Sequence, residues 1–117
     1  MIKKYQFNYD FGKASALFLV DTEKYTPELA KETLQFFTWS YDKEAHPVDE
    51  VMKKIVIEVF EIATSNGSYS HRVKEQFREK EGWPPIDGTL GVTLIRVDGF
   101  EFDEDDLTME ILEPSNN

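Results

Sequence analysis

The sequence predicts an α+β fold, an antiparallel sheet of about four strands in the order β-β-α-α-α-β-β with the helices packed on one face. Three observations carry this. Residues 47–66, PVDEVMKKIVIEVFEIATSN, are the longest stretch with helical periodicity; strand-like alternation appears near both ends of the chain; and two more segments with helical start or stop signals flank the long one. At about 100° per residue, Val48, Val51, Met52, Ile55, Val56, Val59, Ile62 and Ala63 share one broad arc, with Asp49, Glu50, Lys53, Lys54, Glu58, Glu61 and Thr64 opposite. Pro47 suits the first helical position, Asp49 and Glu50 suit its positive end, and Asn66-Gly67 supplies the stop. At about 1.5 Å per residue such a helix spans roughly 30 Å, the width of a domain this size, so the other elements must pack against it.

From the N-terminus, Ile2 to Tyr9 alternates, with Tyr5, Phe7 and Tyr9 on one side and Lys4, Gln6 and Asn8 on the other: a half-buried strand. Asp10-Phe11-Gly12-Lys13 is a turn and Ala14 to Val20 a second, better covered strand, so the chain opens with a hairpin. Thr26-Pro27-Glu28 starts a helix running to about Tyr41, with Ala30, Leu34, Phe37 and Tyr41 in line and Leu29, Thr33 and Phe36 beside them. After the long helix, a short charged helix from His71 to Glu81 carries Val73 and Phe77 inward, and Gly82-Trp83-Pro84-Pro85 stops it. Thr89 to Val97 is apolar on both sides and reads as the central strand of the sheet. Asp98-Gly99 is a turn signal, Phe100 to Phe102 pairs briefly, and Leu107, Met109 and Ile111 form the face of a last strand before a frayed tail at residues 113–117. The whole reads as a single globular domain, 1–117.

Composition narrows the function classes. The chain has no cysteine, which excludes disulfides, thiolate catalysis and cysteine-ligated metal. No apolar stretch approaches eighteen residues and the N-terminus lacks an apolar signal region, so a soluble cytoplasmic protein is expected, with no membrane partner. Thirteen basic side chains face twenty-three acidic ones, and residues 87–117 alone hold one basic and nine acidic, net −8 of the −10. That field disfavours direct contact with nucleic-acid phosphate.

Several stretches, YDFGKASALFLVDTEKYTPE, FFTWSYDKEAHPVDEVMKK, EKEGWPPIDGT and GFEFDEDDL, resemble a family of small bacterial and phage proteins known as a domain of unknown function. The resemblance covers nearly the whole chain. It implies an α+β fold and a bacterial or mobile-element setting, and carries over no activity and no functional residue.

No reaction motif stands out. The run Asp103-Glu104-Asp105-Asp106 could bind a hard cation, but an EF-hand loop starting at Asp103 would have Leu107 at its fifth position and Thr108 where glycine is required. His46 precedes Pro47 at a helix start and His71 lies in a first turn, neither with a second histidine at ligand spacing, so no metal or other cofactor is expected. Ser68, Ser70 and His71 are too local to form a triad, and no G-x-S-x-G occurs. Gly88-Thr89-Leu90-Gly91 precedes a strand and lacks the P-loop lysine, so it is turn and strand entry. Arg72, Lys74, Arg78 and Lys80 make the one basic face, read as a solvated helix.

What remains is apolar residues out of pattern. Ile57 and Phe60 lie at the polar edge of the long helix, Trp39 opposite its own helix's stripe, and Trp83 in a proline-rich loop. Either the third helix or the Trp83 loop covers them as a second core layer, or they form one interaction surface. The second reading makes the protein a non-enzymatic interaction module, binding a protein partner or itself as a homodimer. A different class is an acidic decoy imitating nucleic acid, through Asp98, Glu101, Asp103, Glu104, Asp105 and Asp106; net −8 matches only about 14 Å of duplex, roughly four base pairs. Third is a divalent-cation enzyme built on the carboxylates of the last quarter with Asp87 or Asp98, for which no spacing assigns acid, base or nucleophile.

Overall fold

The computed structural model describes residues 1–37, 40–100 and 104–112, with Asp106 through its backbone alone. Strands β1 (Ile2–Tyr9) and β2 (Ala14–Asp21) form the expected hairpin, helices α1 (Pro27–Phe37), α2 (Pro47–Asn66) and α3 (Ser70–Arg78) follow, and β3 (Val92–Asp98) returns to the sheet. A single 3₁₀ turn occupies Glu104–Asp106. The long helix has the boundaries its sequence predicts. The imidazole Nδ1 of His46 accepts from the Val48 N–H at 3.3 Å, Pro47 needs no acceptor, and the Gly67 N–H reaches the Ala63 carbonyl at 2.9 Å.

Among the described residues the sheet has three antiparallel strands in the order β1-β2-β3, not four. Residues 107–112, expected as a last strand, lie outside any strand, and Phe102 is outside the described residues. Nor is β3 central: β2 is, with β1 and β3 on either side. β3 appeared two-sided because of a bulge. Its partners on β2 jump from Leu17↔Arg96 to Phe18↔Leu94, which leaves Ile95 unpaired and 43 % exposed while Val92, Leu94 and Val97 stay inward. The outer flank of β3 is occupied by the segment before it, through an Asp87↔Thr93 bridge, the Leu94 N–H to the Ile86 carbonyl at 2.9 Å and the Gly88 N–H to the Val92 carbonyl at 2.9 Å.

The strand period divides the sheet into two faces. Ala14, Ala16, Phe18 and Val20 of β2 are buried against the helices with Val92, Leu94 and Val97 of β3. α2 and α3 pack on this face, and α1 packs chiefly on α2. From β1, Tyr5 donates to the Asp49 carboxylate in the first turn of α2, and Lys3 Nζ approaches the same group at 3.7 Å. Burial and the neighbouring carboxylate raise the Tyr5 hydroxyl well above its ordinary pKa, so it remains a donor.

One charged residue of α2 departs from its sequence pattern. Glu50, predicted on the polar arc, is buried. The segment joining α1 to α2 folds over it: its Oε1 accepts from the Asp42 N–H at 2.9 Å and its Oε2 lies 2.7 Å from Lys53 Nζ, while Lys54 Nζ reaches the Ser40 carbonyl at 3.1 Å. Lys53 and the Asp42 N–H hold the carboxyl below the usual glutamate range.

Beyond β3 the chain crosses the end of α2 at close range. An added Cβ on Gly99 would lie 2.7 Å from the Thr64 nitrogen and 2.8 Å from the Ala63 carbonyl carbon. The crossing is tied by the Gly99 N–H to Ser68 Oγ at 2.9 Å and the Phe100 N–H to Thr64 Oγ1 at 3.0 Å.

Gly99→Ala is therefore expected to cost about 1–3 kcal/mol as an overpacked backbone contact. The urea midpoint should fall with an unchanged slope, whereas a wild-type midpoint would mean that the crossing is looser than described. For Glu50 the folded pKa is depressed, so its contribution is present above the ordinary glutamate value of 4.5 and is lost as pH falls through the folded one. Glu50→Gln should lower stability at pH 7 by about 1–2 kcal/mol and flatten the decline between pH 5 and 3, measured by urea titration at each pH. An acid decline as steep as wild type would show that other carboxylates set it.

Candidate functional site

Of the apolar residues singled out by their sequence positions, Ile57, Phe60 and Trp83 are distributed over two hollows. The larger lies between α1 and the loop after α3. α3 ends at Arg78, and Gly82, at φ +87°, turns the chain under α1: a Cβ there would lie 2.3 Å from Phe36 Cε1 and 2.8 Å from Phe37 Cζ. The left-handed φ favours glycine here, and a side chain would also have to displace the two rings. Trp83 then inserts against Phe37 and Phe77, with ring centroids at 4.9 and 5.3 Å, while Pro84 is buried. The result is a cavity of about 360 Å³ lined by Leu29, Phe36, Trp83, Pro85 and Leu90, with Glu32 its one charged member. Phe36 is 60 % exposed, and Leu29 and Leu90 are also exposed. At its inner wall Tyr25, buried after β2, shares a 2.9 Å hydrogen bond with Thr33, and burial raises its pKa.

The smaller hollow, about 140 Å³, is lined by Tyr9, Ile57, Phe60 and Phe100. Phe60 is buried, with the Tyr9 ring 6.2 Å away and the Phe100 ring 5.6 Å from Tyr9. Ile57 remains 45 % exposed at its rim. The structure thus brings Ile57 and Phe60 together and places Trp83 in the other hollow, and Trp39 lies outside the described residues. Tyr9 at the end of β1 and Phe100 after β3 stand beside Phe60. Leu29 and Phe36 were legible only as a secondary stripe on α1, two turns apart; nothing local in the sequence brings Tyr9 and Phe100 to α2.

The charged candidates are dispersed. Asp98 ends β3 in an exposed position, Glu104 and Asp105 are exposed in the 3₁₀ turn, Asp106 contributes its backbone there, and Glu101 and Asp103 lie outside the described residues. Among the described residues no three histidine, aspartate or glutamate side chains gather in a metal-binding arrangement. His46 caps α2 and His71 Nε2 lies 2.9 Å from Glu75 on the next turn of α3. A cavity of about 160 Å³ beside α3 joins His71, Lys74, Glu75, Arg78 and Asp87, in which His71 pairs with Glu75 and Arg78 with Asp87. The Thr89 hydroxyl and N–H, with the Arg78 guanidinium, hold Asp87 down to about 2. Elsewhere Lys80 Nζ reaches Glu58 at 2.7 Å, tying the chain past α3 to α2.

Comparison with known proteins adds a family and no chemistry. The profile of a family described as "Protein of unknown function (DUF2528)" matches residues 16–109. "Protein ea10" of Escherichia phage lambda is 29% identical over 118 residues, covering 93% of this chain and 96% of the relative. "Lambda prophage-derived protein ea10" of Escherichia coli O6:H1 is similar to the same extent, 29% identical with 93% and 96% covered. No solved structure matches the chain at a significant level.

Proposed function

We propose that this chain, which belongs to the DUF2528 family of proteins of unknown function, is a non-catalytic interaction module that receives an apolar side chain of a protein partner in the Trp83 hollow. The observation that carries this reading is the exposure of Phe36, Leu29 and Leu90 around one aromatic-walled cavity, on a floor fixed by Gly82 and Trp83. Such a concave patch with a tryptophan base and an exposed phenylalanine is the form that binding anchors take in protein interfaces. Its walls are preorganised: Trp83 is wedged between Phe37 and Phe77, so a ligand there does not have to order it. The occurrence of the family in phage and prophage proteins points to a partner in the bacterial host or the phage itself.

Phe36→Asp removes the exposed anchor without touching the core. The variant should keep the wild-type circular dichroism and melting temperature within about 3 °C, since surface changes cost within about ±0.5 kcal/mol. In tagged capture from a bacterial lysate, a protein enriched by the wild type should be lost or reduced at least tenfold by the variant. Equal capture by both, or nothing enriched over a tag control from infected and uninfected cells alike, would count against the Trp83 hollow as the binding surface.

A further inference from the structure

Residues 107–112, Leu-Thr-Met-Glu-Ile-Leu, alternate with the period of a strand, placing Leu107, Met109 and Ile111 on one side. Yet they make no strand in their own chain: Leu107, Met109, Ile111 and Leu112 are 72, 83, 83 and 76 % exposed. Four large apolar side chains in six residues, all in water, are a surface awaiting cover. Meanwhile one flank of the sheet is open. β2 is central and β3 is bulged and flanked by the Asp87 segment, so among the described residues β1 presents the one unpaired and unbulged edge. That edge of eight residues measures about 26 Å, and a six-residue strand about 20 Å, so the edge is long enough to pair all six.

We propose that residues 107–112 of one molecule add to the β1 edge of a second copy, and reciprocally, so that two chains exchange C-terminal arms as fourth strands in a two-fold dimer. Charge favours this edge. β1 carries Lys3 and Lys4 and no acidic residue, while 104–112 carries Glu104, Asp105, Asp106 and Glu110 and no basic one. Lysines on an edge oppose its pairing with another β1, and they favour an acidic arm instead. Packing favours it too. Tyr5 and Phe7, stacked at 5.9 Å on the helix side of β1, are only half-buried, and among the described residues no strand lies beyond them. An added strand with Leu107, Met109 and Ile111 on that side extends the same apolar layer over their open flank. The root of each arm is fixed, because Gly99 and Phe100 are held to α2 by Ser68 and Thr64. Reciprocal exchange then satisfies both edges and closes the assembly at two copies. The inference adds to the reading of the protein as an interaction module and does not use the Trp83 hollow.

Light scattering on the full chain over about 1 µM to 1 mM should give a dimer mass at the upper concentrations, and the chain ending at Asp106 should remain a monomer with an unchanged melting temperature. Met109→Asp in the full chain should weaken dimerisation at least tenfold, and Lys4→Glu should weaken it several-fold at low salt. Hydrogen exchange of the full chain should show that amides of residues 3–8 and 107–112 gain protection together as concentration rises. A full chain monomeric throughout, including one whose arm is protected on its own sheet, overturns the proposal, as does a dimer that survives removal of the arm or forms without protecting β1. None of these results bears on the Trp83 hollow, which the truncation leaves intact and which Phe36→Asp tests separately.

Discussion

The burial of α2 is the constraint on which the rest of the molecule depends. Its twenty residues place Val48, Val51, Met52, Ile55, Val56, Val59, Phe60, Ile62 and Ala63 out of water, together with Glu50. No single neighbour could cover an arc that wide. β2 and β3 take its inner side, α1 and α3 its flanks, Tyr5 and Lys3 engage its first turn, and Gly99 crosses its last. Each of the other elements is positioned by which part of that surface it covers. Even the charged exception follows this rule, since Glu50 is dry only because the 40–45 segment lies over it and supplies the Asp42 N–H.

The same constraint decides where open surface remains. α2 and α3 lie on one face of the sheet, so Leu17 and Leu19 of β2, with Gln6 bonded to Arg96 across them at 3.2 Å, form a second face without helices. α1 is held chiefly by α2, and its Leu29 and Phe36 side is left to the Gly82–Pro85 loop, whose reach is too short to cover it. The exposed aromatic rim thus belongs to a helix held chiefly by one other helix and a loop pinned by two prolines.

Much of this architecture was legible from local patterns. The limits of α2, the opening hairpin and the Pro27 helix start all depend on residues within a few positions of one another, such as His46-Pro47 and Asn66-Gly67. What could not be read depends on distant contacts. The edge position of β3 follows from a bulge at Ile95 and from Ile86 to Gly88 bonding to its flank, neither of which alters the hydrophobic pattern. Asp98-Gly99 looked like hairpin chemistry, but its glycine serves a close approach to Ala63 and Thr64 on another element. The site divides the same way. Trp83 announced itself by composition, whereas the Tyr9 and Phe100 walls around Phe60 come from opposite ends of the chain.

The pairing of β2 with β3 has a consequence for how the molecule is made. Leu17 lies opposite Arg96, so the sheet joins segments separated by all three helices, and closing a loop of that length slows folding even though it costs little in stability. On the ribosome the hairpin and helices emerge first, with the edge of β2 that β3 will occupy still unpaired. Synthesis at about 5–20 residues per second leaves that edge open for seconds before Val92 to Asp98 arrives. The basic, unbulged β1 edge and the uncovered β2 edge are then both present at once, and the order in which they are occupied becomes a matter of timing as well as of affinity.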